Sequence, residues 1–278
     1  MRGRTAVFVG LIALSFWAAR AAINLGVEAY PGEVEHPESV LPPDGDVKAE
    51  WAFAKLRYDN FTGGFGGYGG FRGYRGRRRS WGTDSPKAER FLAQGVRRLT
   101  RVDARSVEEV INLGTDQVYN WPWLYAVEVG HWQLSDAEAK QLREYLLRGG
   151  FFMTDDFHGT REWDVFTQSM QKVFPDRPIV EIEDSDQIFH TVFDLPSDKR
   201  FQVPGAQFLR SGNTYEWDGY IPHWRAIYDD KGRIMVAICF NQDHGDAWEW
   251  ADEPEYPEKY TSQAYRIGVN YLIYAMTH

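Results

Sequence analysis

The sequence predicts an α/β fold, with a mostly parallel sheet layered between helices, then a late β-hairpin and a C-terminal helix. Three observations carry this. Residues 124–159 read as strand, loop, helix, glycine stop, strand and polar turn, which is one βαβ unit. Short apolar runs alternate with amphipathic stretches along most of the chain, as expected for strands joined by crossover helices. Asp229-Asp230-Lys231-Gly232 lies between two β-prone runs, 225–228 and 234–240, and marks a hairpin.

Taken in order, residues 53–58 alternate loosely and form the first strand, ending at Asp59. Ser85-Pro86 starts a helix, with Ser85 as cap, and Phe91, Leu92, Val96 and Leu99 give it an apolar stripe through Thr100. Residues 107–113 form a second short strand, and a loop over 115–122 leads to a third, Tyr125-Ala126-Val127-Glu128-Val129, apolar enough to be buried on both faces. Gly130-His131 breaks that run. Ser135 and Glu138 then form an S-x-x-E capping box, and Ala139, Leu142, Tyr145 and Leu146 follow at helical spacing. Gly149-Gly150 stops the helix before the strand Phe151-Phe152-Met153-Thr154. Trp163, Phe166, Met170 and Val173 mark another amphipathic helix, ended by Pro175, and residues 179–182 a further short strand. A Pro/Gly-rich irregular stretch precedes the hairpin, and residues 260–276 close the chain as a helix. This order is that of a three-layer, flavodoxin-like sandwich with additions.

Composition limits the function classes. The chain has 278 residues, 43% hydrophobic, enough for one domain with ample core. Its net charge of -9 argues against nucleic acid as the main partner, because phosphate binding needs a positive face. The lone Cys239 excludes an intramolecular disulfide and reads as a small core residue. Arg2 and Arg4 precede an apolar run over 6–19 and then Ala19-Arg20-Ala21, so residues 1–27 read as a signal peptide or N-terminal membrane anchor. Either way the folded part is expected outside the cytoplasm, periplasmic or secreted, or held at the inner membrane through an uncleaved N-terminus. Residues 28–50 read as a Pro/Glu/Gly-rich linker, and 51–278 as the α/β domain. Within it, 60–82 form an insertion loop of Gly, aromatic residues and Arg. We read this loop as a surface insertion ahead of a nucleic-acid-stacking segment, with docking on anionic lipid or envelope polymer as a third use.

Ligands of open α/β sheets bind beyond the carboxyl ends of the strands. The loops expected there bring together His131, Asp155, Asp156, His158, Asp243, His244 and Asp246, with Asp59 as an outlier. Imidazoles and carboxylates within reach suit zinc, with His131, Asp155 and His158 as candidate ligands, or a harder ion where carboxylates dominate. Alternatively a His–Asp pair acts as general base, and His131, Asp155, Asp156, His158 and His244 are the catalytic candidates. The bland alternative is that Asp155 and Asp156 cap the next helix and each His makes an ordinary hydrogen bond.

An ordered set of motifs adds a resemblance. It comprises 55–59 (KLRYD), 81–88 (WGTDSPKA), Gly130-His131 with Leu134-Ser135, Gly149-Gly150-Phe151 with Asp155-Asp156, Ile188-Phe189-His190, and 268–277 (GVNYLIYAMT). Over residues 51–278 the chain resembles the bacterial family named domain of unknown function 4159, which looks like a branch of the class I glutamine amidotransferase-like fold. That resemblance implies a site after the strand that follows Gly-Gly, where amidotransferases carry a nucleophilic Cys. Here the turn holds Asp155-Asp156-Phe157-His158, with neither Cys nor Ser, and acyl transfer is disfavoured. His244 sits roughly where the amidotransferase His falls. The expected function is an exported module binding a small polar ligand or an envelope protein. The alternative is a metal- or His/Asp-dependent hydrolase at the same edge, and a third reading is an envelope scaffold acting through the Arg-rich loop.

Overall fold

The computed structural model describes residues 30–37, 39–45, 47–60 and 80–278. The N-terminal apolar segment and the core of the Gly/Arg loop lie outside these residues. In chain order the elements are β1 (Ala54–Arg57), β2 (Asp59–Asn60), α1 (Lys87–Leu99), β3 (Glu109–Asn112), β4 (Trp123–Val127), β5 (Trp132–Gln133), α2 (Asp136–Leu147), β6 (Phe151–Asp155), α3 (Gly159–Val173), β7 (Val180–Glu181), α4 (Phe208–Ser211), β8 (His223–Tyr228), β9 (Ile234–Phe240), α5 (His244–Glu249) and α6 (Glu258–Thr277). A seven-stranded sheet runs in the order β3-β1-β4-β6-β9-β8-β7. Its first five strands are parallel, β8 and β7 each pair antiparallel, and β2 and β5 make a separate short ribbon.

The period of two along each strand divides the core. β4 sends Trp123, Tyr125 and Val127 to one face and Leu124 and Ala126 to the other, and β6 does the same with Phe151 and Met153 against Phe152. Leu92 and Val96 of α1, Trp248 of α5 and Ala264 and Ile267 of α6 cover the first face. Leu142 and Leu146 of α2 and Phe166 and Met170 of α3 cover the second. The protein is therefore a mixed α/β fold with a mostly parallel central sheet. None of the described helices is long and apolar enough to cross a membrane.

Several local expectations hold in detail. The Ser135 hydroxyl accepts from the Glu138 backbone N–H, and the Glu138 carboxylate accepts from that of Ser135. The hairpin pairs β8 with β9 around the Asp229–Gly232 turn, whose Asp229 carboxylate accepts from the Lys231 and Arg233 backbone N–H groups. Two expectations change. Ser85 makes no cap for α1, because its hydroxyl is held between Lys55 and Glu89. β4 stops at Val127 rather than running to Val129, because Glu128 turns left-handed at φ 54°.

The stretch expected as a linker has neither helix nor strand among its described residues, yet it is docked. Glu33 pairs with Arg57 at 3.0 Å and accepts from the Trp81 indole at 2.9 Å, Val34 is buried, and His36 pairs with Glu249. Replacing Ser135 with Ala should remove one cap and lower unfolding stability by about 1 kcal/mol, read by urea denaturation. No change would mean that tertiary packing alone holds the start of α2.

Candidate functional site

Three neighbouring parallel strands end in the same way. The residue after β4 is Glu128 (φ 54°), after β6 is Asp156 (φ 51°) and after β9 is Asn241 (φ 59°). Residues with side chains disfavour this region, and strain of this kind persists only where the surroundings hold it. Here backbone hydrogen bonds run sideways across the exits. The Glu128 N–H donates to the Asp155 carbonyl at 3.1 Å, Asp156 to that of Gln242 at 3.0 Å, and Asn241 to that of Phe157 at 3.0 Å. The chain leaves three adjacent strands along one rim.

Asp155, at the end of β6, is fully committed. Its Oδ2 accepts from the backbone N–H groups of His244 (2.7 Å) and Gly245 (3.0 Å) and from the Tyr125 hydroxyl (3.1 Å), and its Oδ1 accepts from His244 Nδ1 at 2.8 Å. Both side chains are wholly buried. Asp155 thus satisfies the first turn of α5, far along the chain, and not that of α3, the next helix. Asn241 serves α3 instead, accepting from the Gly159 N–H at 2.9 Å, while Asp218 accepts from that of Thr160 at 3.0 Å.

Outside this pair lies an acidic cluster. His131 is half-exposed and reaches Glu128 at 2.8 Å and Glu162 at 3.8 Å. Burial alone would lower its pKa, but the Glu128 hydrogen bond and the charges of Glu128 and Glu162 lift it to about 9. Glu162 also accepts from the His158 backbone N–H at 2.7 Å. Burial and the neighbouring Glu128 push Glu162 up to about 7, and the same causes take Glu216 to about 7. His158 lies 3.3 Å from Asp156, and burial lowers its imidazole to about 4, so it is neutral at pH 7. Burial, then the charges of Glu128, Asp84 and Glu216, holds the Asp156 carboxyl well above the usual carboxylate range.

A second acidic group lies on the α1 and α5 side, where oxygens of Asp84, Asp243 and Asp246 fall within 4.8 Å of one another. The loop carrying Asp84 is pinned by Lys55. The buried Lys55 ammonium donates to the Thr83 carbonyl (2.7 Å), the Ser85 hydroxyl (2.6 Å) and Glu89 (2.5 Å), which uses its three hydrogens.

The structure brings Asp155 to His244, Asp156 to His158 and Asp243 to Asp246, and links His131 to the His158 corner through Glu162. It does not give His131, Asp155 and His158 a shared zinc position. Among the described residues the donor sets that converge are the three aspartates and Asp155–Cys239–His244, whose thiol is driven well above its usual range by burial. Asp59 lies on the β2–β5 ribbon, opposite Gln133. Sequence reasoning passed over Lys55, Asp84, Glu128, Glu162 and Glu216. A charge inside an apolar strand was the available sign for Lys55 and Glu128. Asp84 stood inside a quoted motif, but its partners lie far along the chain.

Two outcomes are expected. Asp155→Ala strands the buried His244 and two backbone donors, and should cost about 3–5 kcal/mol in chemical denaturation; a loss under about 1 kcal/mol would contradict the weld. By NMR titration His131 should titrate near 9 and return towards 6.5 in Glu128→Gln. Its pKa is raised on folding, so the pair stabilises fully below about 6.5 and loses its effect as pH rises through about 9.

No curated protein matches the chain. A family model described as "Domain of unknown function (DUF4159)" matches residues 52–276, which take in every strand of the sheet and both acidic groups. The chain belongs to the DUF4159 family.

Proposed function

We propose that the protein is an exported, amidotransferase-like module of the bacterial cell envelope that has exchanged acyl transfer for binding of a small cationic ligand. The amidotransferase-like, flavodoxin-like reading is supported by the Gly149-Gly150 stop before β6, the left-handed exit after it and the helices on both faces of the sheet. Export is supported by the basic-then-apolar N-terminus.

One observation carries the choice of ligand. The turn position that an acyl-transfer enzyme gives to its nucleophile is occupied by Asp156, a carboxyl 3.3 Å from the His158 ring that faces the charges of Glu128, Asp84 and Glu216. Thr154, one residue inside the strand, is buried with its hydroxyl unpartnered, so no base activates it. The carboxyls of Asp156, Glu162 and Glu216 are all pushed up by burial and by Glu128, which is a standing repulsion that a bound cation relieves. Beside the cluster, Trp217 is 67% exposed although its backbone is held left-handed at φ 47°. Its neighbour Asp218 is tied to Thr160 at the start of α3, which holds the Trp217 backbone beside Gly159, directly after Glu216. An amine-bearing polyol or a polyamine matches an acidic cluster with an aromatic neighbour.

Glucosamine and spermidine, added with chelator present, should raise the melting temperature of the full chain, and N-acetylglucosamine, which lacks the charge, should not. Glu128→Gln and Trp217→Ala should each weaken the response at least about tenfold, a loss of roughly 1.4 kcal/mol of binding energy. Equal responses to charged and neutral sugars, or none, would end this reading.

A second reading, a hydrolase at the same edge, is favoured by the carboxyls of Glu162 and Glu216, which titrate near 7 as a general acid requires. It calls for turnover of an amide or glycoside panel that Glu162→Gln abolishes.

A further inference from the structure

We infer that Asp84, Asp243 and Asp246, with the side-chain oxygen of Gln207, form a binding site for a hard divalent cation of the magnesium or calcium class. The carboxylate oxygens lie within 4.8 Å of one another. Ligands on one ion, each about 2.1–2.6 Å from it, must be spaced within about twice that length.

Asp84 supplies the independent sign. Asp243 and Asp246 each accept a backbone hydrogen bond. Asp243 Oδ1 accepts from the Asp246 N–H at 2.7 Å, and Asp246 Oδ2 accepts from the Ala206 N–H at 2.5 Å. Asp84 comes from a different segment, is only 2% exposed, and its Oδ2 is buried without any hydrogen-bond partner. It is brought there by a left-handed backbone (φ 63°) in a loop clamped by Lys55. Lys55 is itself spent on Glu89, and His36 pairs with Glu249, which also hydrogen-bonds Asp246. A buried carboxylate oxygen aimed at two more carboxylates, with no donor, needs a counter-charge.

Two glycines leave the space. A Cβ on Gly205 would overlap Asp243 Oδ2 and lie 2.5 Å from Gln207 Oε1 and 2.7 Å from Asp246 Oδ2. A Cβ on Gly245 would overlap Asp84 Oδ2. Oxygens of Asp243, Asp246 and Gln207 therefore gather at Gly205, and Asp84 Oδ2, packed against Gly245, belongs to a residue whose carboxylate lies within 4.8 Å of the two aspartates. An all-oxygen set with no imidazole or thiolate selects magnesium, calcium or manganese over zinc. Burial and mutual repulsion raise the Asp84 and Asp243 carboxyls well above their usual range and take Asp246 to about 7, so the rival occupant is a set of shared protons. The site shares no ligand with the amine site, although the two adjoin: Asp156 feels the charges of Asp84 and Asp246, and Asp243 feels that of Asp156.

The test is calorimetric titration of chelator-treated full-length protein at pH 8 with magnesium, calcium and manganese chlorides, paired with thermal melting. The expected result is one equivalent bound and a melting temperature that rises with metal. Asp84→Asn should weaken binding at least tenfold, while its metal-free melting temperature equals or exceeds that of the unsubstituted protein, because a buried like charge has gone. Gly205→Ala, whose Cβ would overlap Asp243 Oδ2 and crowd Gln207 Oε1 and Asp246 Oδ2, should also weaken binding. Unsubstituted protein that binds none of the three metals at millimolar concentration would overturn the proposal. So would an Asp84→Asn protein that melts lower without metal yet keeps the full metal response, which is the mark of a structural hydrogen-bonding group.

Discussion

The carboxylate of Asp155 joins the end of β6 to the start of α5, 89 residues later, and much of the rim depends on that junction. With three donors on Oδ2 and the His244 ring on Oδ1, this buried side chain has a partner for each oxygen. It anchors α5, and α5 carries Asp246 and Glu249 and is entered from Asp243. The left-handed exits at Glu128, Asp156 and Asn241 are tied across the same edge by backbone hydrogen bonds. Strain at these three positions is held in place by a rigid parallel sheet beneath and by sideways bonding above.

The second theme is charge. The rim gathers carboxylates from the exits of β4 and β6, α3, α5, the loop before α1 and the loop after α4, while the nearby cations are already engaged. Lys55 is fully used by Thr83, Ser85 and Glu89, and His131 is shared between Glu128 and Glu162. Burying like charges together opposes folding unless protons or a cation are taken up. The raised carboxyls of Asp84, Asp156, Asp243, Asp246, Glu162 and Glu216 record that opposition.

Much of the fold was legible because its signals are local. The Ser135–Glu138 box, the Gly149-Gly150 stop and the Asp229–Gly232 turn each act within a few residues, and each forms as read. The site was legible only as a list of corners. His131, Asp155, Asp156, His158, Asp243, His244 and Asp246 were expected at strand ends, but their pairing was not. Asp155 suits capping of the adjacent α3 by its position, yet it serves α5. Ser85 has the chemistry of a helix cap, but a buried ammonium competes for its hydroxyl and wins. The short α5 spans too few residues to show a helical period.

What the amino-acid order determined by itself is the succession of the main sheet's strands and the four long helices, the parallel βαβ unit, the hairpin and the absence of Cys or Ser from the turn after β6. These follow from side-chain periodicity and turn chemistry, which operate over a few neighbouring residues. Only the tertiary structure decided that Asp155 is sealed against His244, that Asp84 joins Asp243 and Asp246, and that no zinc position forms from His131, Asp155 and His158 among the described residues. Those outcomes depend on which strand lies beside which, and a hydrogen bond or a repulsion between residues far apart in the chain leaves no periodic trace in either segment.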